Sequence, residues 1–332
     1  MLDWIQSFLT GRHQQVIIGG HKSPWSPVLS GVPQGSVLGP TLFIAFVNDM
    51  PNVVDSSIKI FVDNTKLFRK VPTTQDRRLL QNDLDAIAEW SKTWQLPFNE
   101  EKCTVLHIGS RNPRYTYTLN DLQLNETDSE RDLGVYVDND LKFRKQAASA
   151  VAKASQVLAL IRKSFRAINC DTLPLLFKSL VRPHLEYGCC IWGPFSKADR
   201  KAVERVQRRA TKLVPDLRHR PYTERLRLLD LPSLYYRRRR GDMIKTYQVL
   251  HGEVDVRQED FFTPTLDRRA RGHPWKLNKE QAQSRTRRLC FSTRVISDWN
   301  SLPPEVVLAP SLGAFKSRLD AHWDGIRYQI PD

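Results

Sequence analysis

Two adjacent side chains with oxygen ligands, Asp63 and Asn64, follow the run Ser57–Val62, in which polar and apolar residues are mixed. A carboxylate and an amide oxygen can both bind a hard divalent cation such as Mg²⁺. Asp and Asn are also common turn residues. On residue type alone, the pair therefore indicates a two-residue turn, with a strand before it and a paired strand over Thr65–Phe68.

A loop with regularly spaced glycines, Gly31–Pro40, has the sequence GVPQGSVLGP. It is not a Walker A loop, because no Gly-Lys-Ser/Thr follows, and its glycine spacing differs from GxGxxG. Glycines let the backbone approach a ligand closely, and the helix that Pro40 can open would direct its positive end at an anion. Gln34 and Ser36 can hydrogen-bond a nucleotide or a template base. Composition alone favours an ordinary Gly/Pro turn before a helix.

The charge balance is strongly basic, with 51 Lys and Arg against 36 Asp and Glu and a net charge of +15. This predicts a polyanionic partner, with nucleic acid first and an anionic membrane surface as the competitor. The basic residues at helical spacing, and a run that follows two tyrosines, are the candidate nucleic-acid contacts: Arg205, Arg208, Arg209, Lys212, Arg237, Arg238, Arg239 and Arg240. A solvated helix face is the alternative. The arginine run is also a weak candidate for a nuclear localisation signal.

Five cysteines at irregular spacing predict neither a disulfide framework nor a structural zinc site, and they fit a reducing compartment. No apolar run is long enough for a membrane helix. We therefore expect an intracellular protein, in the nucleus or the cytoplasm, without a membrane partner. The start at Met1, inside an amphipathic pattern, leads us to expect a truncated reading frame.

Hydrophobic periodicity predicts the elements that must position these residues. Residues 76–95 have apolar residues at helical spacing, and the chain becomes helical from about residue 143, with further helices near 172–188, 198–213 and 232–250. Strands are predicted over Cys103–Ile108 and Asp132–Val137.

The motifs resemble those of reverse transcriptases from non-LTR retrotransposons of the jockey/CR1 type. Gly31–Pro40 is similar to that family's GVPQGSVLGP block, and Phe61–Leu67 resembles FADDTKL. The resemblance extends to Val47–Pro51, to Lys178–Tyr187 and to the C-terminal segment around Trp299–Pro303. It therefore covers nearly the whole chain.

The resemblance implies a site for RNA-directed DNA polymerisation with Mg²⁺, dNTPs, an RNA template and a DNA primer. Asp63 matches a metal-binding aspartate, and Asn64 replaces the second aspartate of the pair. Lys102 matches a lysine that can act as general acid toward pyrophosphate, although by itself it would be a solvated lysine. The implied nucleotide or template contacts are Pro33, Gln34, Gly35 and Ser36, and the implied primer grip is Leu133 and Gly134.

We expect an α+β chain: a partial reverse-transcriptase palm over residues 1–140, an all-helical thumb or connection over 141–252, a basic linker over 253–285 and a small C-terminal helical segment over 286–332. The family's upstream aspartate has no counterpart in this sequence, and two metals about 4 Å apart need several carboxylates. We therefore expect no polymerisation by this chain alone. The alternatives are a non-enzymatic, basic nucleic-acid-binding module and a translated relic that barely folds.

Overall fold

The computed structural model describes residues 1–265 and 272–330. Residues 266–271, which fall in the predicted basic linker, and residues 331–332 lie outside the described residues. The chain divides into two compact units. The first unit comprises Met1–His107 and Arg111–Thr127, and the second comprises Ile108–Ser110 and Asp128–Asp332. Within the described residues, no helix has both the length and the apolar character to cross a membrane.

Short strands and three helices build the first unit. Its helices are α1 (Leu2–Leu9), α2 (Leu38–Val47) and α3 (Thr74–Thr93). Its strands are β1 (His13–Gln14), β2 (Ile17–Ile18), β3 (His21–Lys22), β4 (Ser26–Pro27), β5 (Ser57–Phe61), β6 (Asn64–Phe68), β7 (Thr104–Leu106), β8 (Thr118–Leu119), β9 (Leu122–Gln123) and β10 (Asn125–Thr127). Each described ladder joins only two strands, antiparallel except for β7–β10.

The helix α3 organises the first unit. Thr73 caps its start, since the hydroxyl accepts a hydrogen bond from the Asp76 backbone N–H at 3.2 Å. The side chains of Ile87, Ala88 and Trp90 are buried on its inner face. The observed span confirms the helix predicted over 76–95 to within two residues, because its periodicity is a local property of the sequence.

The second unit is mainly helical. It begins with a hairpin of β11 (Ser129–Asp132) and β12 (Val135–Asp138). The longer helices are α4 (Arg144–Ser164), α7 (Lys197–Ala210), α9 (Leu234–Leu250) and α14 (Leu312–His322). The shorter ones are α5 (Thr172–Leu176), α6 (Arg182–Glu186), α8 (Tyr222–Leu228), α10 (Arg285–Leu289), α11 (Phe291–Arg294), α12 (Ile296–Ser301) and α13 (Pro304–Val307). A π-helical turn, Phe177–Val181, joins α5 to α6. The mixture of helices and strands makes the chain an α+β protein, as the sequence predicted.

Two large hydrophobic cores lie in the second unit, and α9 takes part in both. Leu234, at the start of α9, is buried with residues of α4 and α7. From Tyr236 onward, the same helix packs against the C-terminal helices around Trp299 and Phe315. Phe262, from the segment predicted as a linker, is also buried in this second core. Packing in these two cores stabilises the helices that contribute to them.

Two turns differ from the predictions. The predicted single strand Asp132–Val137 is wrong, because Leu133 and Gly134 form a two-residue turn between β11 and β12. The turn predicted at Asp63-Asn64 lies one residue earlier, at Val62-Asp63, because Phe61 pairs with Asn64. In both cases an apolar residue, Leu133 or Val62, adopts a positive φ that its residue type disfavours.

Candidate functional site

The tip of the β5–β6 hairpin carries Asp63 and Asn64 side by side, both exposed. Val62 and Asp63 form the turn, and Val62 has φ +56°. The Asn64 side-chain amide donates a hydrogen bond to Asp63 Oδ1 at 3.2 Å. The tip therefore presents one carboxylate, and one of its oxygens already accepts from the neighbouring amide.

Packing beneath the hairpin fixes its direction. Ile58 and Ile60 alternate along β5 and pack against the buried Val47, Met50 and Trp90. The buried carboxylate of Asp83, on α3, accepts hydrogen bonds from the backbone N–H groups of Asp55 and Ser56 at 2.9 and 3.0 Å. These contacts anchor the base of the hairpin and leave its tip exposed.

The donor set at the tip does not fit a pair of divalent cations. A two-metal centre needs ligands that bring negative charge, and Asn64 offers an uncharged oxygen. Among the described residues, no group of three or more His, Cys, Asp or Glu is arranged to hold a metal ion. The Asp49 carboxylate accepts a hydrogen bond from Trp90 Nε1 at 3.1 Å.

Lys102 is exposed at the end of a short 3₁₀ segment, Glu100–Lys102. Its backbone N–H donates to the side-chain oxygen of Asn99 at 3.3 Å. In the part of the chain that the structure describes, no hydrogen bond or ion pair joins Lys102 to Asp63, so the role that the resemblance implies for Lys102 stays a prediction.

The glycine loop is braced from within by Ser36. Its hydroxyl donates to the Pro33 carbonyl at 2.8 Å and accepts from the Gly39 N–H at 2.9 Å. A Cβ at Gly39 would lie 2.9 Å from this hydroxyl and 3.1 Å from the Pro33 oxygen, so the loop requires glycine there. The helix α2 begins at Leu38, which puts Pro40 in its first turn, where a missing N–H is tolerated. Gln34 is exposed beside this helix start.

The predicted primer-grip residues lie at the tip of the β11–β12 hairpin. Leu133 and Gly134 have φ +44° and +86°, the signature of a type I′ turn. The Tyr187 hydroxyl donates to the Leu133 carbonyl at 2.8 Å, and the Tyr187 ring would lie 3.2 Å from a Cβ at position 134. Glycine therefore allows Tyr187 to pack on this turn.

Three arginines of the run Arg237–Arg240 pair with carboxylates far away in the sequence. Each pair is bidentate, with hydrogen bonds between 2.5 and 2.8 Å: Arg237 with Glu186, Arg239 with Asp298 and Arg240 with Asp320. Bidentate pairs of this kind fix geometry as well as charge. These three guanidinium groups hold α9 to its neighbours, and their predicted contact with nucleic acid stays a prediction.

Arg238 has no carboxylate within ion-pair distance in the described residues. It lines a cavity of about 320 Å³ together with Tyr235, Glu204 and one face of α7. That face carries the basic residues that we name the α7 stripe: Lys197, Arg200, Lys201, Arg205 and Arg208. The structure therefore brings the predicted Arg205 and Arg208 together with Arg238. Two other predicted contacts are exposed: Arg209 in the last turn of α7, whose guanidinium donates to Ser155 Oγ at 2.6 Å, and Lys212, which follows the helix.

Three members of the stripe, Lys197, Arg200 and Lys201, were not among the predicted contacts. The signal that identifies them is the same helical spacing, continued toward the start of α7, where Lys201 lies four residues before Arg205. The capping box of Ser196 and Asp199 marks where the helix begins, and therefore where the stripe ends.

Comparison with known proteins finds similarity in the part of the chain that holds the hairpin and the glycine loop. Residues 1–155 match the reverse transcriptase (RNA-dependent DNA polymerase) family. The chain is 29% identical over 220 residues to the RNA-directed DNA polymerase from mobile element jockey of Drosophila melanogaster, a match covering 61% of this chain and 24% of that protein.

The jockey polymerase of Drosophila funebris is 31% identical over 206 residues, covering 57% of this chain and 22% of the relative. The probable RNA-directed DNA polymerase from transposon X-element of Drosophila melanogaster is 24% identical over 221 residues, covering 63% and 24%. The matches span about a quarter of the length of these relatives. No solved structure matches the chain.

Proposed function

We propose that the chain is a reverse transcriptase-like product of a non-LTR retrotransposon, on the premise that residues 1–155 match the reverse transcriptase family. Its ancestral activity is RNA-directed DNA polymerisation with an RNA template, a DNA primer, dNTPs and Mg²⁺. In this proposal residues 1–140 correspond to a partial palm and residues 141–252 to a helical thumb or connection. Support comes from the relatives, which are named RNA-directed DNA polymerases, and from the glycine loop within the matched region.

We further propose that this chain alone does not polymerise DNA. The observation that carries this proposal is the hairpin tip, where an amide at Asn64 stands beside the Asp63 carboxylate. Two dications held about 4 Å apart repel each other strongly unless carboxylates neutralise them. One carboxylate is too few for that purpose.

Primer extension on an RNA template, with Mg²⁺ or Mn²⁺, tests this proposal. The purified chain is compared with Asp63→Ala and Asn64→Asp, beside a reverse transcriptase of known activity. We expect no extension by the parent chain or by Asp63→Ala. Extension by the parent that Asp63→Ala abolishes would show that other carboxylates complete a metal site. Extension by Asn64→Asp alone would identify position 64 as the defect.

A second candidate function is a non-enzymatic module that binds nucleic acid, and the α7 stripe supports it. Five basic side chains border one cavity on this helix, and Arg forks suit phosphate oxygens. If about six basic residues contact phosphates, the affinity for single-stranded RNA falls roughly three-hundredfold between 50 and 200 mM salt.

Binding of a labelled single-stranded RNA at rising salt tests this candidate. A variant with Lys201, Arg205 and Arg208 changed to Gln should bind more weakly and with a shallower salt dependence. Absence of RNA binding by the folded parent chain would favour a relic without function. An intracellular location, nuclear or cytoplasmic, is part of the proposal.

A further inference from the structure

Two residues that line the cavity beside the α7 stripe each have a buried polar atom without a hydrogen-bond partner among the described residues. The atoms are Nη1 of Arg238 and Oε2 of Glu204. Arg238 differs in this from its three neighbours in the run, which all pair with carboxylates. Burial lowers the pKa of Arg238, which reflects the removal of its charge from water.

Glu204 is satisfied on one side only. Its Oε1 accepts from the Tyr222 hydroxyl at 2.7 Å and from the Leu234 backbone N–H at 3.4 Å. In the part of the chain that the structure describes, no group donates a hydrogen bond to its Oε2. A buried donor and a buried acceptor that both lack partners are unfavourable unless a ligand or water supplies the missing groups.

Arg238 and Glu204 need different chemical groups from a ligand, and this restricts the class of ligand that the cavity can bind. Arg238 and the stripe require an anion, whereas Glu204 Oε2 requires a hydrogen-bond donor and repels a bare anion. A phosphorylated ribose has both groups, a phosphate and a hydroxyl. The Tyr235 side chain, also at the cavity wall, has an aromatic face on which a base can stack. The volume of about 320 Å³ lies at the lower end of the range typical of small-ligand sites, about 300–1,000 Å³.

We propose that this cavity binds one ribonucleotide unit of single-stranded RNA, with its phosphate on Arg238 and the α7 stripe and its 2′-hydroxyl donating to Glu204. The inference rests on the proposed nucleic-acid-binding function and adds to it a reason to prefer RNA. Deoxyribose lacks the 2′-hydroxyl, so DNA leaves Glu204 Oε2 without a donor.

The test uses the full chain and three labelled oligonucleotides of one length and sequence: oligouridine RNA, its deoxyuridine counterpart and its 2′-O-methyl counterpart. We expect RNA to bind roughly tenfold more tightly than either of the other two, because both lack the donor. The 2′-O-methyl strand separates loss of the donor from a change of sugar conformation. Equal affinity for all three would overturn the proposal while leaving the nucleic-acid-binding function intact. Binding of none of them would overturn both.

Two variants test which group of the RNA each of Arg238 and Glu204 binds. Arg238→Gln should weaken binding of all three strands by roughly tenfold, and Arg218→Gln, at an exposed arginine of the same unit, is the matched loss of charge. Glu204→Gln should bring the RNA and DNA affinities together. An RNA affinity for Arg238→Gln equal to that for Arg218→Gln would contradict the proposal.

Arg238 makes no hydrogen bond to another side chain in the described residues, so Arg238→Gln should unfold at a temperature no lower than the parent. If it unfolds earlier, the comparison of the three strands on the parent chain still decides the question.

Discussion

Among the described residues, the first unit exposes more of its large apolar side chains than the second, although it also buries Trp90. In the second unit, Trp192 and Trp299 are completely buried. In the first unit, Trp4 and Trp25 are 58% and 67% exposed, and α1 has no buried residue. Both units contain sequences with clear hydrophobic patterns, so the pattern alone does not explain the difference.

The difference follows from the number of layers that cover each element. Helices of the second unit are covered on several sides by other helices, and α9 contributes to two cores. Strands of the first unit pair only two at a time, and isolated two-stranded ladders are marginally stable in water. The first unit therefore carries the β5–β6 hairpin and the glycine loop on a weakly covered framework, and the second unit carries the basic stripe on a well-packed one.

The largest expected effect comes from truncating a tryptophan in each unit. Trp299→Ala should lower the free energy of unfolding by about 3–5 kcal/mol, because it leaves a cavity beside Phe315 and removes the donor to the Trp275 carbonyl. Trp25→Ala should change it by about 0.5 kcal/mol or less. Denaturant unfolding measures the difference, and hydrogen exchange should show faster exchange in α9 and α14 only for Trp299→Ala. Similar losses from the two substitutions would contradict the contrast between the units.

A smaller effect is expected from Asp320, which links α14 to α9. Burial tends to raise the pKa of this carboxyl, but hydrogen bonds from Arg240 and Tyr236 outweigh it, and the net shift is downward. A lowered pKa in the folded state means that the stabilisation is present above the ordinary value of 3.8 and is lost as the pH falls below it. Because the side chain is 38% exposed, solvent screens the pair, and we expect about 1 kcal/mol.

Asp320→Asn should therefore unfold more easily than the parent at neutral pH and equally easily at pH values well below 3.8. Asp255→Asn, at an exposed position of the same unit, serves as the matched change and should have no effect at either pH. Unfolding curves over this pH range measure both variants. If Asp320→Asn lowers the free energy of unfolding by the same amount in acid, then packing, and not the charge, accounts for the role of Asp320.

The sequence predicts most of the helices because their signals are local. The 3.6-residue periodicity of α3 and α4 lies within a single segment, and the caps Thr73 and Ser196 stand next to the helices that they begin. The turn at Gly19-Gly20 also has a local signal in the sequence, since both glycines adopt a positive φ between β2 and β3.

The features that could not be predicted depend on contacts between distant residues. Nothing near Arg237 or Arg240 in the sequence indicates that the first would pair with Glu186 and the second with Asp320. Nothing near Glu204 indicates that one of its oxygens would be paired and the other not. The arginine run therefore suggested a uniform basic surface, whereas the structure separates three structural arginines from Arg238.

The smallest expected effect comes from a substitution in the turn of the β5–β6 hairpin, which we compare with the turn of the β11–β12 hairpin. Both turns begin with an apolar residue at positive φ, Leu133 at +44° and the β-branched Val62 at +56°, and only the first turn has glycine at its second position. A left-handed conformation is unfavourable by about 1–2 kcal/mol for a residue such as Val62, and part of the gain from glycine is offset by its greater freedom in the unfolded chain. Val62→Gly should therefore stabilise the hairpin by about 0.5–1 kcal/mol.

Hydrogen exchange in the backbone of β5 and β6 measures this gain, which should slow exchange roughly two- to fivefold. Val62→Ala removes the β-branch but keeps a side chain at positive φ, so its effect should be smaller than that of glycine. Faster exchange with glycine would show that the Val62 side chain stabilises the hairpin more than its backbone conformation strains it. The β5–β6 hairpin would then be stabilised by its own side chains, and its low stability would be due only to the few elements that pack against it.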